Sequence, residues 1–112
     1  MLTRDLEQAL HEFAIDTPPA PRTVLLVDDE RENLEVLGAL LEDEHDILTA
    51  ADGAAALRLL AAGSGVDLVI ADQRMPGMTG VELLTRIAAE HPDTVRMVLT
   101  AYDDVGPMME AI

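Results

Sequence analysis

Asp28, Asp29 and Asp72 each stand after a short apolar run, and Thr100 stands after a third. The runs are Thr23-Val24-Leu25-Leu26-Val27, Val66-Asp67-Leu68-Val69-Ile70-Ala71 and Val95-Arg96-Met97-Val98-Leu99. Brought together, three carboxylates and a hydroxyl form a pocket suited to a hard divalent cation and a phosphoryl group. Two like charges about 4 Å apart repel by roughly 4 kcal/mol at an effective dielectric of about 20, so such a cluster calls for a counter-ion. Mg2+ fits that need, because it prefers oxygen donors and retains part of its water. One carboxylate can then attack a phosphoryl donor and form an acyl phosphate. The metal offsets the charge on the transferring group, and a nearby hydroxyl can bind a phosphoryl oxygen.

The elements that must position these groups are legible in the hydrophobic pattern. Apolar runs of this length, rich in β-branched residues and separated by helical patterns, read as buried parallel strands. Groups just beyond the carboxyl ends of such strands share one crevice, where ligands bind in open α/β sheets. Between the runs, Glu30 to Glu42 carries Leu34, Leu37 and Leu41 on one face, which predicts a helix. Asp46 to Ala50 reads as a further strand, and Asp52-Gly53 opens a second helix over 54–62, stopped by Gly63-Ser64-Gly65. Met75-Pro76-Gly77-Met78 is a loop by its turn chemistry. Thr79 and Glu82 have capping-box spacing for a third helix that runs to about His91, before Pro92. After Thr100, Asp103 or Asp104 can cap a last helix carrying Met108, Met109 and Ile112, with Pro107 in its first turn. Strand and helix alternate four times, which predicts a parallel sheet with helices on both faces.

Residues 1–21 read as a separate leader. Leu2, Leu6, Ala9, Leu10 and Phe13 lie at helical spacing, and Thr17-Pro18-Pro19-Ala20-Pro21 is a stiff, extended spacer. Residues 22–112 form the compact domain. The 112 residues suffice for one small core. That core is aliphatic, because 49% of residues are hydrophobic but only 2% aromatic. A net charge of −15 excludes nucleic acid and anionic membrane as partners of this segment. No cysteine, no membrane-length apolar run and no signal-like N-terminus are found, so the expected location is cytoplasmic. His11, His45 and His91 have no metal-ligand spacing. Taken alone, Asp28-Asp29 reads as an Asx turn or helix cap; Asp72 after a neighbouring strand favours the metal site.

Three segments resemble one family in order and separation. Leu26-Val27-Asp28-Asp29-Glu30, Ile70-Ala71-Asp72-Gln73-Arg74-Met75-Pro76-Gly77-Met78-Thr79-Gly80 and Val98-Leu99-Thr100-Ala101-Tyr102 resemble the receiver domain of bacterial two-component response regulators. The resemblance implies a flavodoxin-like doubly wound sheet of order 2-1-3-4-5. It implies Asp72 as phosphoacceptor, with a sensor histidine kinase or phosphotransfer protein as partner. It further implies Mg2+ held by Asp28, Asp29, Asp72 and the backbone carbonyl of Arg74, and Thr100 as the switch hydroxyl. An ion pair from Arg74 to Asp72 is an open alternative.

The same resemblance implies a fifth strand, a fifth helix, a switch aromatic and a lysine. All seven basic residues here are Arg, and Tyr102 lies too early to be the switch aromatic. The expectation is therefore an incomplete receiver, strands 2-1-3-4, with the N-terminal helix against the sheet. The bare strand-four edge, or helix four, is a candidate homodimer surface. The expected function is a phosphorylatable switch, not an enzyme. The alternative is a non-switching docking or dimerisation module. An aspartyl-nucleophile phosphohydrolase is disfavoured, because Asp72-Gln73-Arg74 lacks the second acid of an Asp-x-Asp nucleophile motif.

Overall fold

Strands and helices alternate through residues 22–100, the part of the chain that the computed structural model describes. In order they are β1 (Thr23–Val27), α1 (Arg31–Leu41), β2 (Asp46–Ala50), α2 (Gly53–Ala61), β3 (Leu68–Asp72), α3 (Gly80–Glu90) and β4 (Val95–Leu99). The amphipathic leader and proline spacer of residues 1–21 lie outside the described residues. So do Tyr102, Asp103 and Asp104, and the helix expected to carry Pro107, Met108, Met109 and Ile112.

The strands form one parallel sheet in the order β2-β1-β3-β4. The strand–helix pattern predicted a parallel sheet with helices on both faces, and the order is the doubly wound, flavodoxin-like one that the resemblance implied. The central strands are apolar and buried from Val24 to Val27 and from Leu68 to Ala71, because both of their faces are covered. Leu25, Val27, Val69 and Ala71 point to one face and pack with Ala56 and Leu60 of α2 and Leu83 and Ile87 of α3. Val24, Leu26, Leu68 and Ile70 point to the other face, against Leu41 of α1 with Leu34 and Leu37 beside it. Full burial of a Leu, Ile or Val side chain stabilises by roughly 1.5–3 kcal/mol. Among the described residues, β2 and β4 are the sheet edges, and no helix is long and apolar enough to cross a membrane.

The boundaries follow local chemistry. Asp52 caps α2 by accepting the Ala55 N–H at 2.8 Å. The helix gives way to Gly63 and Gly65, whose φ values of +76° and +71° suit glycine. At α3 both halves of the predicted capping box are made: Glu82 N–H donates to Thr79 Oγ1 at 3.2 Å, and Thr79 N–H donates to Glu82 Oε1 at 2.9 Å. The third strand begins at Leu68 rather than Val66, and Asp72 is its last residue rather than the first beyond it. Asp67 acts instead as a brace. Its Oδ2 accepts the N–H groups of Arg22 and Thr23, each at 3.0 Å, and ties the start of β1 to the start of β3.

Candidate metal and phosphoryl site

The carboxyl ends of β1 and β3 are adjacent because Val27 and Ala71 are register partners. Asp28 and Asp29 therefore leave β1 beside Asp72 at the end of β3. One carboxylate oxygen from each of the three lies within 4.8 Å of the others. Their surroundings differ: Asp28 is 5% exposed, Asp72 is half-buried and Asp29 is exposed.

Asp28 is held from two sides. Its Oδ1 accepts the Glu30 N–H at 2.9 Å, forming the Asx turn that leads into α1. Its Oδ2 accepts Nδ2 of Asn33 at 3.1 Å. The turn reading and the cluster reading of Asp28 are thus both satisfied by one side chain. Asn33 was not visible as a site residue in the sequence. Its only signal is a position five residues after Asp28, in the first turn of a helix whose cap residue, Glu30, makes no side-chain cap bond.

Asp72 carries the electrostatic cost of this convergence. Its carboxyl is pushed up to about 6, chiefly by burial and then by the charges of Asp28, Asp29 and Glu30. The Arg74 backbone N–H donates to the Asp72 carboxylate and offsets part of that rise. The contact between Arg74 and Asp72 that lowers the carboxyl is therefore made by the main chain.

The loop from Gln73 to Thr79 closes on itself beside the cluster. Gly80 N–H donates to the Gln73 carbonyl at 3.1 Å, and Val81 N–H donates to Gln73 Oε1 at 2.9 Å. Gln73 N–H in turn donates to the Leu99 carbonyl at 3.0 Å, so one residue joins β3, β4 and the start of α3. Gly80 permits this closure, since a Cβ there would lie 2.6 Å from the Asp72 carbonyl oxygen. Gly77 turns the loop at φ +85°. Asp29, Gln73, Arg74, Met75, Pro76 and Thr79 line an open cleft of about 560 Å³. Thr100 is half-buried directly after β4, one residue past Leu99, the register partner of Asp72. It thus stands at the same carboxyl end of the sheet as the three carboxylates.

A cluster of hard oxygen donors beside an open cleft has the makings of a cation and phosphoryl site. Comparison with known proteins gives the family. Residues 24–112 match the family model described as the response regulator receiver domain. The hydrogenase transcriptional regulatory protein HoxA of Cupriavidus necator is 43% identical over 84 residues, covering 73% of this chain and 17% of that protein. The chain spans between about a sixth and about a third of the length of the curated relatives it matches. Among solved structures, the signal receiver domain of an HD domain-containing protein from Pseudomonas fluorescens Pf-5 superposes with a TM-score of 0.75 at 38% identity, covering 81% of this chain and 73% of that one. The response regulator protein TrrA of Thermotoga maritima, solved in complex with Mg2+-BeF, gives 0.67 at 39% identity, covering 72% and 70%. With its sheet order, its acidic cluster and these matches taken together, the chain belongs to the response regulator receiver domain family.

Proposed function

We propose that the chain is a phosphorylatable switch in which Asp72 accepts a phosphoryl group from the phosphohistidine of a sensor histidine kinase or phosphotransfer protein. An oxygen of Asp72 attacks the phosphorus, the O–P bond forms as the N–P bond breaks, and the partner histidine leaves with its electron pair. The observation that carries this reading is the approach of Asp28, Asp29 and Asp72 to within 4.8 Å at the carboxyl ends of two neighbouring strands.

The donor set fits Mg2+, since it supplies hard oxygens from an almost fully buried, a half-buried and an exposed carboxylate. Asp29, Asp72 and the Arg74 carbonyl would hold the ion directly, and Asp28 would meet it largely through bound water. Bound there, Mg2+ offsets negative charge on the transferring phosphoryl group. The TrrA structure with Mg2+-BeF supports the assignment by likeness. Asp72 supplies the nucleophile, and its half-buried position limits the water that could hydrolyse the product. Thr100 offers a hydroxyl to a phosphoryl oxygen. A movement of Thr100 would reach the start of α3 through Leu99 and Gln73, whose hydrogen bonds link the two ends.

Intact-mass spectrometry after incubation with acetyl phosphate and Mg2+ tests the proposal, with Asp72→Asn as control. Gain of one phosphoryl group by the parent and not by the variant is the expected result. A folded parent that gains none would refute it. That result would favour the docking or dimerisation role, for which β4, an edge strand with half-buried Met97 and Leu99, is the natural surface.

A further inference from the structure

Asp28 is the least exposed member of the acidic cluster, and a buried carboxylate needs donors on both oxygens to keep one orientation. One donor, the Glu30 N–H, belongs to the backbone and is available whatever side chains surround it. The other is the side-chain amide of Asn33, which reaches Asp28 Oδ2 from the first turn of α1. Asn33 is itself exposed, so packing does not require it there. Leu34, Leu37 and Leu41 supply the packing of α1.

We infer that Asn33 is a positioning residue for the cation site: its amide fixes the rotation of the Asp28 carboxylate toward Asp29 and Asp72. The inference rests on the Mg2+ reading of the cluster. With Oδ1 held by Glu30 alone, the carboxylate keeps a hinge about that bond. The second donor removes it. Partners of this kind, which touch a ligand group rather than the ion, cost about 10–100-fold in metal affinity when removed. Asn33 contacts a group expected to act largely through metal-bound water, so the lower end, about tenfold, is the expected effect. A neutral donor also adds no charge to a cluster that already holds three carboxylates. An acidic residue at position 33 would crowd it further.

The test is titration of the full 112-residue chain with MgCl2, followed by backbone amide shifts in 15N-labelled protein. The parent is compared with Asn33→Ala, Asn33→Leu and Asn33→Gln, and the thermal midpoint of each is measured in EDTA. Loss of about tenfold in Mg2+ affinity in the Ala and Leu variants, with midpoints in EDTA close to the parent's, is the expected result. Asn33→Gln keeps an amide donor and should recover most of the affinity. An unchanged Mg2+ dissociation constant in Asn33→Ala or Asn33→Leu would overturn the inference, whether or not the midpoint falls. That outcome would leave Asn33 as a brace of the β1–α1 turn only. A parent without any Mg2+ response would instead overturn the reading of the site itself, and this inference with it.

Discussion

Replacing Asp72 by Asn should stabilise the metal-free protein, and the gain should depend on pH in a defined way. The Asp72 carboxyl ionises at about 6 rather than 3.8, first because of burial and then because of Asp28, Asp29 and Glu30. The folded chain therefore holds this proton more tightly than the unfolded chain does. Between 3.8 and about 6 the folded state binds more protons, so stability falls as pH rises through that window. The contribution is fully present below about 4 and lost above about 6. Felt in full, a displacement of this size corresponds to about 3 kcal/mol. Asp72 is only half-buried, and screening by water reduces this to about 1 kcal/mol. An amide at position 72 does not titrate, and its oxygen still accepts the Arg74 N–H. Urea unfolding in EDTA, followed by far-ultraviolet circular dichroism from pH 4 to 7.5, measures the difference. Asp72→Asn should exceed the parent by about 1 kcal/mol at pH 7, and the two should converge near pH 4, with unchanged denaturant slope. A parent as stable as the variant at pH 7, or a difference that ignores pH, would refute the reasoning.

Two further outcomes follow from packing. Gly80→Ala sets a methyl 2.6 Å from the Asp72 carbonyl oxygen and 3.1 Å from the Gln73 Cα, backbone atoms that cannot rotate aside. It should cost about 1–3 kcal/mol in urea unfolding and weaken the Mg2+ response, because Asp72 itself must shift. Ile87→Ala empties a fully buried position of α3 against the sheet, and a loss of about 2–5 kcal/mol is expected in the same assay. Mg2+ affinity, normalised to the folded fraction, should stay near the parent's.

The parts of the fold written in period and punctuation were legible in the chain. β2 and β4 fall where the apolar runs put them, and Thr79 with Glu82 opens α3 through the bonds its spacing predicts. The third strand was harder, because Val66 continues the apolar run while the strand starts only at Leu68, and the Asp67 side chain braces Arg22 and Thr23 while its backbone still bonds Thr23 and Val95. Alternation along one segment carries no trace of a partner 44 residues away. The same limit hid part of the site. Asp28, Asp29 and Asp72 announce themselves at strand ends, where the topology must gather them. Asn33 and Gln73 take their meaning from hydrogen bonds that residue type and period do not announce, Asn33 to Asp28 across the β1–α1 turn and Gln73 to Val81 and Leu99. Gly80 owes its place to the nearness of Asp72, which no local pattern shows, rather than to an unusual φ.

The closure of the loop at Gln73 also fixes how the chain can change in length. Gln73 holds Leu99 on one side and Gly80 and Val81 on the other, so an extra residue between 73 and 80 would have to break a bond at one end or lift Asp72. The Gly63-Ser64-Gly65 connection is the opposite case, with open space around the glycines on the far side of β3 from the carboxylates. Insertions in this molecule should therefore accumulate there and be purged at the loop after Asp72. A peptide epitope or a fluorescent label placed at 63–65 would report on the protein without touching its chemistry.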